Sequence, residues 1–108
     1  MAVSYKVLGQ VIPAAITATT LYTVPAATSA VCSTLSICNQ GLSTTIRVAV
    51  RPAGAALASN HYIVYEAVVS ANDTLFLTLG VSLAATDVVT VYAGTANVSF
   101  NLFGSEIA

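Results

Sequence analysis

"SAVCSTLSICN", Ser29 to Asn39, decides the fold. Apolar and small polar residues alternate along it with period two. As a strand it places Val31, Leu35 and Ile37 on one face and Cys32, Thr34, Ser36 and Cys38 on the other. The same period recurs downstream. "TTIRVAVRP" turns Ile46, Val48 and Val50 inward, with Arg47 and Arg51 outward. "HYIVYEAVV" sets Tyr62, Val64, Glu66 and Val68 against His61, Ile63, Tyr65, Ala67 and Val69, which puts Tyr62 and Tyr65 on opposite faces. "DTLFLTLG" lines up Leu75, Leu77 and Leu79. "TDVVTVYAG" opposes Val89 and Val91 to Val88, Thr90 and Tyr92, and "ANVSFNLFG" opposes Val98, Phe100 and Leu102 to Ser99, Asn101 and Phe103.

With "SYKVLGQV" and "TTLYTV" ahead of these, the count reaches about eight short strands, rich in the Val, Thr, Tyr and Ile that suit a half-buried pleated surface. Turn residues separate them: Val24-Pro25, "NQG" before Leu42, "PAG" at Pro52 to Gly54, "AND" at Ala71 to Asp73 and "AGTAN" from Ala93. Pro25 closes a strand, because it has no N–H to give a ladder. Only "GAALASN", Gly54 to Asn60, and "SLAATD" suggest helical turns, and neither is long enough to form a layer. Eight strands without crossover helices predict an all-β fold: an antiparallel β-sandwich of jelly-roll type, with an open barrel as the alternative. The 108 residues suit a single domain, 1–108, with a short N-terminal arm.

Charge is scarce. The chain is 56% hydrophobic and 6% charged, against about a quarter charged in ordinary soluble domains. Its seven charges are Lys6, Arg47, Arg51, Glu66, Asp73, Asp87 and Glu106, and forty residues from Val7 to Ile46 carry none. No basic stripe exists to follow a phosphate backbone, so nucleic acid is not an expected partner. Thr, Ser and Pro stud the uncharged stretch too densely for a membrane span. The opening residues lack the basic cluster and unbroken apolar run of a secretory leader, so secretion is not expected.

Candidate chemistry is thin. Cys32 and Cys38, taken on one face of one strand, stand about 20 Å apart and cannot form a disulfide with each other. Two unpartnered thiols suit a reducing compartment, and one His with two distant Cys makes no zinc site. Ser59, His61 and Asp73 compose a triad only on paper, without a nucleophile-elbow context. Asp73 and Asp87 follow turns and are expected to cap them. No catalytic residue, cofactor or metal is therefore expected. The outward strand positions hold Ser, Thr, Ala, Cys and Asn where a solitary sandwich would carry Lys and Glu. Depletion of charge marks interface cores, which predicts a permanent homo-oligomer or a place in a larger assembly. Arg47, Arg51, His61 and Tyr62 are the candidate interface residues, Tyr and Arg being enriched at binding hot spots.

One resemblance adds to this. The string "TTLYTVPA…CSTLSICN…TTIRVAVRPAG…HYIVYEAVV…ANDTLFLTLGVSL…TDVVTVYAG…VSFNLFGSE", Thr19 to Glu106, resembles small virion-associated proteins of tailed bacteriophages, most specifically in "LYTVPA", "ICN" and "RVAVRP". That likeness implies an accessory structural protein, made in the host cytoplasm and carried on the virion, with sandwich or jelly-roll subunits assembled as a trimer or higher oligomer. On heads such proteins decorate or cement the major capsid protein; on tails they build collars, baseplates and fibre attachments. The absence of Gly-X-Y or long helical segments favours the head. A glycan-binding adhesin module using Tyr62 and Tyr65 is the rival class.

Overall fold

Between its turns the chain is strand almost throughout. The computed structural model describes residues 2–108, with β1 (Val3–Val11), β2 (Thr19–Thr23), β3 (Ser29–Asn39), β4 (Thr44–Arg51), β5 (Tyr62–Val69), β6 (Thr74–Leu83), β7 (Val88–Ala93) and β8 (Val98–Ile107). β2 stops ahead of Pro25, as a residue without an N–H requires. Short 3-10 turns at Pro52–Gly54 and Ser59–His61 bracket the segment expected to hold a helical turn. The segment expected as an N-terminal arm is already paired at Val3, opposite Ile107.

The strands form two antiparallel four-stranded sheets, ordered β1-β8-β3-β6 (sheet A) and β2-β7-β4-β5 (sheet B). The pairs β1·β8, β2·β7, β3·β6 and β4·β5 are those of one long hairpin folded about its centre. Rolling that hairpin puts alternate pairs in opposite sheets, and β3·β8 and β4·β7 then close each sheet. This is the jelly-roll arrangement of the expected sandwich. At one corner Gly9 lies against the main chain of Leu21, where an added Cβ would overlap the carbonyl, so the edge strands β1 and β2 of the two sheets can approach closely there.

The core lies between the sheets. Leu35, Ile37, Ile46, Val48, Val91, Val98, Phe100 and Leu102, all expected inward, are fully buried. Asn39, buried among them, gives its amide N–H groups to the carbonyls of Leu42, Val69 and Ser70, and its Oδ1 accepts from Gly41 N–H. A satisfied amide here ties the β3–β4 turn to the end of β5 without the penalty of an orphaned polar group.

Period two fails at the bulges, and there the sequence expectation is corrected. In β3 the pairing register shifts between Cys32 and Thr34: against β8 Ser33 is an extra residue, whereas on the other side it stands opposite two residues of β6, Leu79 and Gly80. An inserted residue exchanges the two faces of a strand. Ahead of the bulge, therefore, Ala30 and Cys32 point inward and Val31 outward; beyond it Leu35 and Ile37 point inward. Cys32 is buried and Cys38 half-buried on the outer side, so the two free thiols do not share a face as expected.

β5 holds the second departure. Ile46 pairs with Ala67 and Val48 with Val64, so Arg47 alone stands opposite two residues, Tyr65 and Glu66. Glu66 takes a left-handed backbone conformation at φ 54°, uncommon for a residue with a Cβ. A further shift between Val48 and Ala49 leaves Ile63 as an extra residue. These two irregularities turn Tyr62, Tyr65 and Glu66 all outward. The expectation that the two tyrosines point to opposite faces is thereby overturned.

Candidate interaction surfaces

Seven charges on this surface are placed economically. Lys6 on β1 forms an ion pair with Glu106 on β8, whose other oxygen accepts from the hydroxyl of Tyr22 on β2. The trio fastens sheet A to sheet B at their shared edge. Lys6 first and Tyr22 second hold the Glu106 carboxyl below the usual range, while burial and the neighbouring carboxylate push the Tyr22 hydroxyl well up. Asp87 accepts from the N–H groups of Ala84 and Ala53, and Asp73 from that of Thr74, the turn-capping roles expected of both.

The outer face of sheet B gathers the aromatic and basic side chains. Its centre is Arg47, whose guanidinium carbon lies 4.3 Å from the Tyr92 ring centre on β7 and 4.6 Å from that of Tyr65 on β5. Arg47 Nε donates to Glu66 Oε2 at 3.0 Å, and the Thr45 hydroxyl donates to the same oxygen. Glu66 is consequently held below the usual carboxylate range, chiefly by Arg47. Tyr62 meets Tyr65 edge-on, with centroids 5.0 Å apart and planes at 71°. The row Tyr92–Arg47–Tyr65–Tyr62 crosses three strands and shares both hydrophobic area and charge–quadrupole attraction.

Of the four interface candidates, the structure brings Arg47 and Tyr62 together in this row. Arg51 is occupied elsewhere: its guanidinium donates to the Thr90 hydroxyl and to the carbonyls of Gly54 and Ala55, folding the loop after β4 over β7. His61 accepts the Ala58 N–H at Nδ1, within its own turn. Asp73 sits at the far end of β5 from His61, about 25 Å away at strand rise, so the paper triad does not assemble. Tyr65, Glu66 and Tyr92 belong to the cluster but were not among the four candidates: the β5 bulge turns Tyr65 and Glu66 together toward Arg47, and Tyr92 comes beside it through the β4·β7 register.

The outer face of sheet A is different in kind. Among its four strands only Lys6 and Glu106 are charged, and both sit at positions in register with the buried side of β3. What faces outward is hydroxyl or amide (Thr34, Ser36, Thr78, Ser99, Asn101, Ser105) interrupted by Tyr5, Val7, Val31, Phe76 and Phe103. A shallow depression of about 550 Å³ opens here around Gly104, walled by Tyr5, Lys6, Val7, Val31 and Phe103; the Lys6 ammonium is engaged by Glu106. Its floor is low because Gly104 packs directly on the Val31–Cys32 main chain at the bulge.

Among the described residues, no three of His, Cys, Asp or Glu converge as metal ligands, and no helix is long and apolar enough to cross a membrane. Comparisons of the chain with protein-family models, curated proteins and solved structures find no match.

Proposed function

We propose that the protein is a non-enzymatic structural component of a phage virion, a head decoration or cement protein that clamps neighbouring capsid subunits as a homo-oligomer. The observation that carries this reading is the outer face of sheet A: four strands wide, free of charged side chains, yet studded with exposed aromatic rings. Such a face hydrates through its hydroxyls while free and desolvates cheaply when covered, since burying an unpaired charge costs far more than burying a hydroxyl. The resemblance of Thr19 to Glu106 to virion-associated proteins supports the particular setting. Jelly rolls serve shells, lectins and small-molecule enzymes alike, so the fold does not choose among them.

Clamping needs no tight single contact. An oligomer engaging several capsid sites at once gains avidity through effective concentration. The partners under this reading are copies of itself and the major capsid protein, with no role for nucleic acid, membrane or cofactor. Collar, baseplate or tail attachment is the neighbouring reading, and a glycan-binding module the rival. Bringing Tyr62 and Tyr65 to one face favours the rival; Arg47 over the Tyr65 ring and Tyr62 against it leave less of that ring free for a sugar. Co-sedimentation of the purified protein with capsids, and not with isolated tails, is the expected result. Binding to glycans without association to any particle would replace this reading with the adhesin.

A further inference from the structure

We propose that the outer face of sheet A docks a second copy of this chain, in a two-fold, face-to-face pair in which Phe76 of each copy enters the depression around Gly104 of the other. This deepens the assembly reading above and rests on it for the need to self-associate. Phe76 is a protruding apolar group: on the edge strand β6 it is 71% exposed, flanked by the outward hydroxyls of Thr74 and Thr78. The depression is the matching recess, apolar at Val7, Val31 and Phe103, with Tyr5 on its rim 85% exposed.

Knob and recess lie on the same face of the same sheet. Phe76 is in register with Ser36 on β3, which pairs with Asn101 on β8; Gly104 lies further along β8, opposite Cys32. Two strand spacings across and about three residues along separate them by roughly 14 Å. A two-fold axis in the plane of the face, bisecting that vector, carries each knob onto the other copy's recess. Both contacts then form at once, the reciprocity that an isologous interface demands.

Charge selects a second copy as the occupant. A two-fold contact brings each face against itself, so any net charge on it would meet its own sign; this face has none. Size agrees as well. Four strands of about ten residues project to roughly 600 Å² at ordinary strand spacings, before side-chain relief is added. Stable pairs take about 600–1,000 Å² from each partner. Sheet B offers no such face, because Arg47, Glu66 and Arg51 stand on or fold over it.

Sedimentation velocity at micromolar concentration should give a dimer. Phe76→Asp should weaken dimerisation at least thirtyfold, as loss of an aromatic anchor seated in a pocket does, while the two proteins diluted to monomer should share one thermal midpoint because the side chain is exposed in the single chain. In a Cys38→Ser background, a Phe76→Cys chain mixed with a Ser105→Cys chain should oxidise to a mixed disulfide dimer, while neither alone should. Within one chain the two positions are too far apart to bond. A monomer or a trimer overturns the pair, and so does self-coupling of Phe76→Cys alone, which would mean edge-to-edge joining of β6. A monomer that still binds capsids removes the pair and leaves the assembly role; a dimer that binds no particle does the reverse.

Discussion

Gly104→Ala tests the bulge on which the inward turn of Cys32 depends. An added Cβ at Gly104 would sit 3.0 Å from the Val31 carbonyl carbon and 3.1 Å from Cys32 Cα, and nearer still to the carbonyl oxygen. Ordinary carbon–carbon contact is about 3.5–4.0 Å. Main chain therefore has to open by about half an ångström or more in mid-sheet, with no flexible side-chain end to give way. Overpacking of this kind costs about 1–3 kcal/mol when side chains can adjust, and the rigid backbone here puts the expected loss at about 3 kcal/mol or above. That is a large share of the roughly 5–15 kcal/mol that holds a domain together. Gly80→Ala is the control. Gly80 also sits in a bulged strand, at φ 70°, but has nothing within 4 Å of a built Cβ. Its penalty is torsional only, about 1–2 kcal/mol. Urea unfolding should thus rank wild type, Gly80→Ala and Gly104→Ala in falling order of midpoint with an unchanged slope. Thermal midpoints should fall by about 4 °C or more for the control and about 12 °C or more for Gly104→Ala. Equal costs for the two variants would refute the reasoning, since the close approach would then carry no energy.

Thiol reactivity and pH supply further checks. Cys38, half-exposed, should react with a thiol reagent at once, while buried Cys32, its thiol pushed up to about 11 by burial, should react at least about a thousandfold more slowly, limited by opening of the domain; two fast thiols would place Cys32 outside. The carboxyls of Glu106 and Glu66 lie lower in the folded chain than in the unfolded one. Their stabilisation is complete above about pH 4.3 and is lost as pH falls through that value toward the folded ones. Glu106→Gln should flatten the acid side of the stability curve. Tyr22 and Cys32 are raised, so the unfolded chain ionises first and stability should also fall as pH climbs past about 8.5 for the thiol and about 10 for the phenol. A curve level from neutral to strongly alkaline pH would contradict the burial of both groups.

The amino-acid order by itself determined the eight strands, the turns between them, the closure of β2 before Pro25 and most of the core, because alternation and turn chemistry are local. Leu35, Ile37, Val48 and Phe100 could be assigned inward from their neighbours alone. Scarcity of charge was equally legible, and with it the expectation that a broad face meets protein. Tertiary structure alone decided which way the side chains turn near an inserted residue. Nothing in "AVCSTL" marks Ser33 as the extra one; Gly104, seventy-one positions along, makes room for the bulge only once β8 lies beside β3. Nor does "YIVYEA" reveal that Glu66 takes a left-handed turn, bringing Tyr65 beside Tyr62 and over Arg47. The knob at Phe76 and the recess at Gly104 become one surface only when β6, β3 and β8 are laid side by side. Periodicity is a property of neighbours in sequence, whereas a bulge, a row across strands and a self-complementary face are properties of neighbours in space.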